Sequence, residues 1–250
     1  MAQTTQTQNI YDDKEFFEGY IQLPRQVQGL DGAPEWPVFR SMIPDVKGAK
    51  VLDLGCGPGW LSRWAREAGA VEVLAVDVST NKLAMADKFP KDHAITYVQV
   101  DLEYFEIPLA TYDVVLSSLA VHYLKNLAPL VAQVFDRLKP GGSFVFCTEH
   151  PIFTAPRKPE FIKDVDGSVS WPVNQYLSEG QRITNWFAEG IVKYHRSIAT
   201  YITMLLDAGF ILSAVNEWGP STQQVEECPD WYKSRERPIF LIIKATKPVT

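Results

Sequence analysis

Several things are scarce in this chain of 250 residues, and each scarcity removes a class of function. There are three cysteines, an odd number without C-x-x-C spacing, which argues against a disulfide framework and against a zinc site. Positive charge is short as well: 24 Lys and Arg against 30 Asp and Glu leave a formal net charge of −6. Proteins that grip a nucleic-acid backbone usually show the opposite sign, so no nucleic-acid partner is expected. The basic clusters Arg157-Lys158 and KSRER (233–237) are diluted by acids and prolines and read as solvated surface. No apolar run approaches the length of a membrane span. The N-terminus, MAQTTQTQNIYDD, has neither the basic start nor the apolar centre of an export signal. A cytoplasmic location with no membrane partner is the expectation, and nothing in the sequence sets an oligomeric state.

What is present is concentrated in residues 49–60, AKVLDLGCGPGW. An apolar-rich stretch, Val51 to Leu54, runs into glycines at positions 55, 57 and 59, and LSRWAREAGA follows at once. Strand, glycine turn and helix start are compressed into a dozen residues, a device that brings bare backbone against a ligand. The turn is not the dinucleotide form G-x-G-x-x-G, because the position of the last glycine is Trp60. Asp53, two residues before the first glycine, would repel a pyrophosphate and attract a ligand carrying an ammonium or a sulfonium.

These residues resemble motif I of the class I S-adenosylmethionine (SAM)-dependent methyltransferases, small-molecule branch, and further motifs follow in register over roughly residues 40–150. VLAVDVS ends in Asp77, where the family keeps an acid for the ribose hydroxyls. ITYVQVDLE places Asp101 and Leu102 at the adenine-edge position. YDVVLSS (112–118) looks like the fourth strand and LKPGGSFVFCTEHP (138–151) like the approach to the fifth. The resemblance implies SAM as cofactor, held by Asp53, Gly55, Cys56, Gly57, Asp77, Val78, Asp101, Leu102 and Ser117, with Tyr20 and Tyr11 lying over it.

Strands alternating with helices predict an α/β fold, a doubly wound, mostly parallel sheet with strand ends converging on one edge. The resemblance raises this to a seven-stranded, Rossmann-like methyltransferase sheet with an antiparallel last strand. Residues 1–10 read as a disordered polar tail and 11–250 as one domain. Within it, 11–45 holds two lid helices, 46–150 the SAM-binding core, 151–195 an insertion on the substrate side, and 196–250 a C-terminal helix and the last strands. PIFTAPRKPEF (151–161) is too rich in proline for a helix or a central strand, and ITNWFAEGIVKYH predicts a hairpin turning at Glu189-Gly190. Ser79 is the expected cap of the helix after the second strand.

Negative evidence narrows the acceptor. The chain reads Ser117-Ser118-Leu119-Ala120 after the fourth strand, not the Asn/Asp-Pro-Pro-aromatic tetrad of the adenine and glutamine N-methylating relatives. No acid cluster suggests magnesium, and no metal is expected. A small-molecule acceptor is the expectation, with O, N or S left open. The alternative is a SAM-binding protein of this fold that does not methylate, serving a cofactor-assisted cyclisation or a regulatory role. A base is needed only if the acceptor must lose a proton. His122 is best placed for that task, or else it shapes the cofactor pocket; Glu149 and His150 come second, or else form an ion-paired or capped strand end. His195 reads as capping or packing. The aromatic residues crowding 171–232 either line the substrate pocket or give an irregular cover its core.

Overall fold

The branched apolar runs do form strands, and the segments between them form the helices that cover the sheet. The computed structural model of the chain describes residues 7–249. The helices are α1 (Lys14–Tyr20), α2 (Pro24–Gln28), α3 (Trp36–Met42), α4 (Trp60–Glu67), α5 (Thr80–Ala86), α6 (Leu127–Arg137), α7 (Pro151–Thr154), α8 (Ile198–Asp207) and α9 (Thr222–Glu227). Strands β1 (Lys50–Leu54), β2 (Glu72–Asp77), β3 (Ile95–Gln99), β4 (Tyr112–Ser118) and β5 (Leu138–Glu149) run parallel. Two small antiparallel ribbons follow, β6 (Ile162–Lys163) with β7 (Val169–Ser170), and β8 (Gly180–Trp186) with β9 (Ala188–His195). With β10 (Ile211–Trp218) and β11 (Phe240–Thr246) the main sheet reaches seven strands, in the order β10-β11-β5-β4-β1-β2-β3. β11 is antiparallel to both its neighbours, as the resemblance implied. No helix among the described residues is long and apolar enough to cross a membrane.

Both faces of the sheet are buried, and side chains alternate between them as strand geometry requires. Leu52, Leu54, Phe144, Phe146, Leu241 and Ile243 pack on one side with Val131 and Val134 of α6 and Leu205 of α8. Val51, Val145 and Ile242 face the other side, against Phe39 of α3 and Leu61 and Ala65 of α4. Ser79 caps α5 as expected, its hydroxyl accepting from the Lys82 N–H at 3.1 Å.

Four expectations need correction. PIFT does form a short helix, α7, because Pro151 sits at its first position, where a missing N–H costs nothing, and His150 caps it. The hairpin turns at Phe187, which has φ +58°, and not at Glu189-Gly190. Gly190 instead lies within β9, its N–H bonded to the Asn185 side chain beside a register shift. A third N-terminal helix, α2, begins where Pro24 again occupies the first turn. Residues 1–6 of the expected tail lie outside the described residues, but from Gln8 the chain is tied down. The Gln8 amide donates to the Gly190 carbonyl and accepts from the Val192 N–H, and Ile10 is buried.

Candidate functional site

The glycine turn is built around two carboxylates at adjacent strand ends. Gly55 and Cys56 donate their N–H groups to the Val76 carbonyl, so the turn folds back on β2. Asp77, at the end of β2, accepts from the Gly57 N–H at 2.7 Å and the Ser79 N–H at 2.9 Å. Asp53 is 1 % exposed; its Oδ2 accepts from the Ser62 hydroxyl at 2.6 Å. Its Oδ1 is buried without a hydrogen-bond partner among the described residues. Burial, reinforced by Asp77 and opposed by the bond from Ser62, pushes the Asp53 carboxyl up to about 7. Gly55 has φ +77°, and a Cβ on it would lie 2.3 Å from the Cβ of Ala120. Cys56 is buried with its sulfur turned onto its own loop, 3.6 Å from the Gly57 carbonyl.

The N-terminal segment is latched over this turn. Asp12 accepts from the Ser79 hydroxyl at 2.6 Å and from the Thr80 and Asn81 N–H groups at 3.1 and 3.0 Å, at the start of α5. Burial works against the Asp12 charge, yet these bonds hold its carboxyl below the usual range. Tyr11 and Tyr20 meet edge to face at 4.8 Å, and the Lys82 ammonium lies 3.1 Å from the Tyr11 ring centre and 5.0 Å from that of Tyr20. The Tyr20 hydroxyl accepts from Gln26 of α2, while Arg25 pairs with Glu35 and reaches Ser118 at the end of β4. The Val78 carbonyl accepts from Asn9 and Gln99. Asp101 caps its own turn through the Glu103 N–H, with Leu102 buried beside it. Ser117 is fully buried and donates to the Leu54 carbonyl, so its hydroxyl ties β4 to β1.

Beyond the end of β5 lies a second set of polar groups. Glu149 is paired through Oε1 with Lys193 of β9 at 2.5 Å, both side chains being largely buried. The other oxygen, Oε2, is buried with no hydrogen-bond partner among the described residues. Burial opposes the Glu149 charge, but His122, Lys193 and Arg237 outweigh it and hold the carboxyl below its ordinary range. His122 is 2 % exposed, its Nδ1 3.3 Å from the Thr148 hydroxyl and its ring 4.4 Å from that of Tyr123. Burial pushes this imidazole down to about 4. Tyr123 in turn meets the Tyr11 hydroxyl at 3.0 Å, which links this group to the N-terminal cover.

His150 is committed on both sides: Nδ1 accepts from the Ile152 N–H and Nε2 lies 2.8 Å from Glu217. It is a cap and leaves no ring nitrogen for an acceptor. His195 likewise bridges Thr154 and the Tyr176 carbonyl, the packing role expected of it.

Four participants escaped the sequence reading: Lys82, Lys193, Tyr123 and Arg237. Lys82 and Lys193 look like ordinary charged residues on a helix and a ribbon; only tertiary packing buries them, at 8 % and 6 % exposure. KSRER reads as solvated surface in the sequence, yet Nε and Nη1 of Arg237 are buried. The one available signal was its position, next to Pro238 and the apolar run that follows.

Residues 52–146 match the family model of the methyltransferase domain. The chain is 44% identical to an S-adenosylmethionine-dependent methyltransferase from Mesorhizobium loti, whose crystal structure superposes with a TM-score of 0.84, covering 88% of this chain and 100% of that one. An uncharacterized protein of Haemophilus influenzae is 32% identical over 96% of this chain and 97% of its own length. The malonyl-[acyl-carrier protein] O-methyltransferase of Enterobacter lignolyticus is 41% identical, but over only 42% of this chain and 41% of its own. The match to that enzyme therefore spans less than half of either protein.

Proposed function

We take as premise that the chain belongs to the S-adenosylmethionine-dependent methyltransferase family, and we propose that it methylates a small molecule held over the carboxyl edge of the sheet. The observation that carries the cofactor half of this reading is the Asp53 Oδ1 atom, buried under the glycine turn and lacking a partner among the described residues. An ammonium group is the ligand such an oxygen needs, and SAM has one. Asp77, its carboxylate fixed by Gly57 and Ser79, is placed to accept from ribose hydroxyls, and the Tyr11–Tyr20 cover is placed to exclude water. When bound, SAM supplies a methyl group on a cationic sulfur, already activated for transfer.

The acceptor reading rests on this chain's own residues, since the match to the malonyl-[acyl-carrier protein] O-methyltransferase covers only 42% of this chain. We assign the acceptor side to 151–195 and 219–237, with 11–45 as the lid. Lys193 of the first segment pairs with Glu149, and His122 is buried just past the end of the neighbouring strand. Neither His122, at about 4, nor Glu149, held below its usual range, takes up protons readily at neutral pH. A site so furnished suits an acceptor that is already nucleophilic, and catalysis is then mainly positioning. A His122→Gln variant is accordingly expected to keep its turnover within about tenfold of wild type, whereas loss of a true general base costs about a hundredfold or more. Steady-state rates decide this, and a hundredfold fall at unchanged SAM affinity would restore His122 as the base. Incubation of an extract with methyl-labelled SAM tests the function itself: label in a small molecule, together with S-adenosylhomocysteine, is expected. S-adenosylhomocysteine binding without any transfer would favour a non-methylating role.

The raised carboxyl of Asp53 also gives cofactor binding a pH dependence. In the free protein this group binds its proton more tightly than in the unfolded chain. That contribution to stability is present at low pH and is lost as pH rises through about 7. A ligand ammonium favours the ionised form, so binding at pH 6 should expel close to one proton per site, and affinity should rise up to pH 7 and then level off. Calorimetry in two buffers of different ionisation enthalpy measures that proton. Binding at pH 6 with no proton released would remove Asp53 from the contact.

A further inference from the structure

Arg237 precedes β11, and the pairing of Phe240 with Glu149 brings it to the same sheet edge as the end of β5. Three aromatic rings surround its guanidinium, whose central carbon lies 4.2 Å from the ring centre of Trp171, 4.5 Å from Phe153 and 5.3 Å from Phe161. Trp171 and Phe161 come from the insertion and Phe153 from α7, and the Trp171 indole is itself anchored to the Ile152 carbonyl. Ring faces stabilise the cation but accept none of its in-plane N–H groups. Nε and Nη1 are buried, and neither has a hydrogen-bond partner among the described residues. Arg237 borders a cavity of about 410 Å³, together with Ile152, Glu217, Gly219, Pro220, Ser234 and Arg235. The other charges on that wall are engaged: Glu217 holds His150, and Arg235 donates to the Thr222 hydroxyl. Glu149 lies near enough to feel Arg237, but its ion pair is with Lys193.

A cation carried into an aromatic cage with its donors unused is an incomplete site. We propose that Arg237 anchors an oxyanion of the acceptor, a carboxylate or a phosphate, so that the small molecule methylated by this enzyme is anionic. The assignment rests on the methyltransferase reading, and it makes Arg237 a residue that decides which acceptors enter. A guanidinium offers planar pairs of donors that match an oxyanion, whereas a lysine in its place would offer only a point charge.

Succinate and inorganic phosphate are the probes, titrated into protein saturated with S-adenosylhomocysteine, with tryptophan fluorescence as the readout because Trp171 touches the guanidinium. Saturable binding of at least one probe is expected in the wild type. It should weaken at least tenfold in Arg237→Gln and recover in part in Arg237→Lys, with S-adenosylhomocysteine affinity equal in all three. A response to succinate alone assigns a carboxylate, to phosphate alone a phosphate, and to both an oxyanion site that does not discriminate. Wild-type protein that binds S-adenosylhomocysteine but neither anion overturns the proposal and leaves the methyltransferase reading intact, as does undiminished anion binding in Arg237→Gln. Failure of S-adenosylhomocysteine to bind at all strikes the methyltransferase reading, and the proposal falls with it. Should the Gln variant not fold, the wild-type titration and the Lys variant still decide.

Discussion

An Asp77→Ala variant is expected to bind S-adenosylhomocysteine some ten- to a hundredfold more weakly than the wild type, a loss of about 1.5–3 kcal/mol. Two effects combine at this position. The ribose loses a charged acceptor, and the Gly57 N–H, now bonded at 2.7 Å, loses the partner that fixes the turn. Asp77→Asn separates them only in part, because an amide can present an oxygen to Gly57 or to the ribose but has no charge to strengthen either bond. Calorimetric affinity that is unchanged in the alanine variant would show that the second strand's acid is not part of the cofactor site.

The second large effect is expected at Gly55, where backbone and packing both exclude a side chain. Its φ of +77° strains any L-residue, and a Cβ would meet Ala120 at 2.3 Å. Gly55→Ala should destabilise the fold by about 2–4 kcal/mol, from left-handed strain plus overpacking, and should abolish cofactor binding by displacing the turn. Thermal unfolding of the variant measures the loss. Adding Ala120→Gly should return the packing share while the strain remains. If the double variant is no more stable than the single one, the contact with Ala120 is not the cause.

How much of this could be read beforehand depended on whether a feature is local. The glycine turn, the acids at the ends of β1 and β2 and the Ser79 cap are set by spacing within a dozen residues, and each is where the sequence placed it. The hairpin was misplaced because a glycine marks either a turn or a kink inside a strand; at Gly190 it serves the strand, and Phe187 takes the turn. PIFT was denied a helix by its proline, though a first-turn proline is compatible with one. The residues we assign to the acceptor side resisted for another reason. Glu149, Lys193, Tyr123 and Arg237 are far apart in sequence, and what matters about each is a burial or a missing partner created only when the segments pack. His122, Glu149 and His150 stand out in the sequence because they lie at or just past strand ends, but only the geometry shows His150 spent as a cap.

The placement of β11 has a bearing on how this molecule comes to be folded. It is last among the strands in sequence yet interior in space, wedged between β10 and β5 with Leu241, Ile242 and Ile243 entirely buried. A chain emerging from the ribosome therefore holds its half-built sheet open until about residue 246 is free. Through that interval the backbone of β5 is an unpaired, apolar edge, the kind of surface on which nascent chains stick to one another. Closure is also a distant event along the chain, since β5 must wait for a partner that follows two ribbons, three helices and β10. Cutting before residue 240 would not trim the rim of the sheet but split it, leaving β10 without the strand it pairs with.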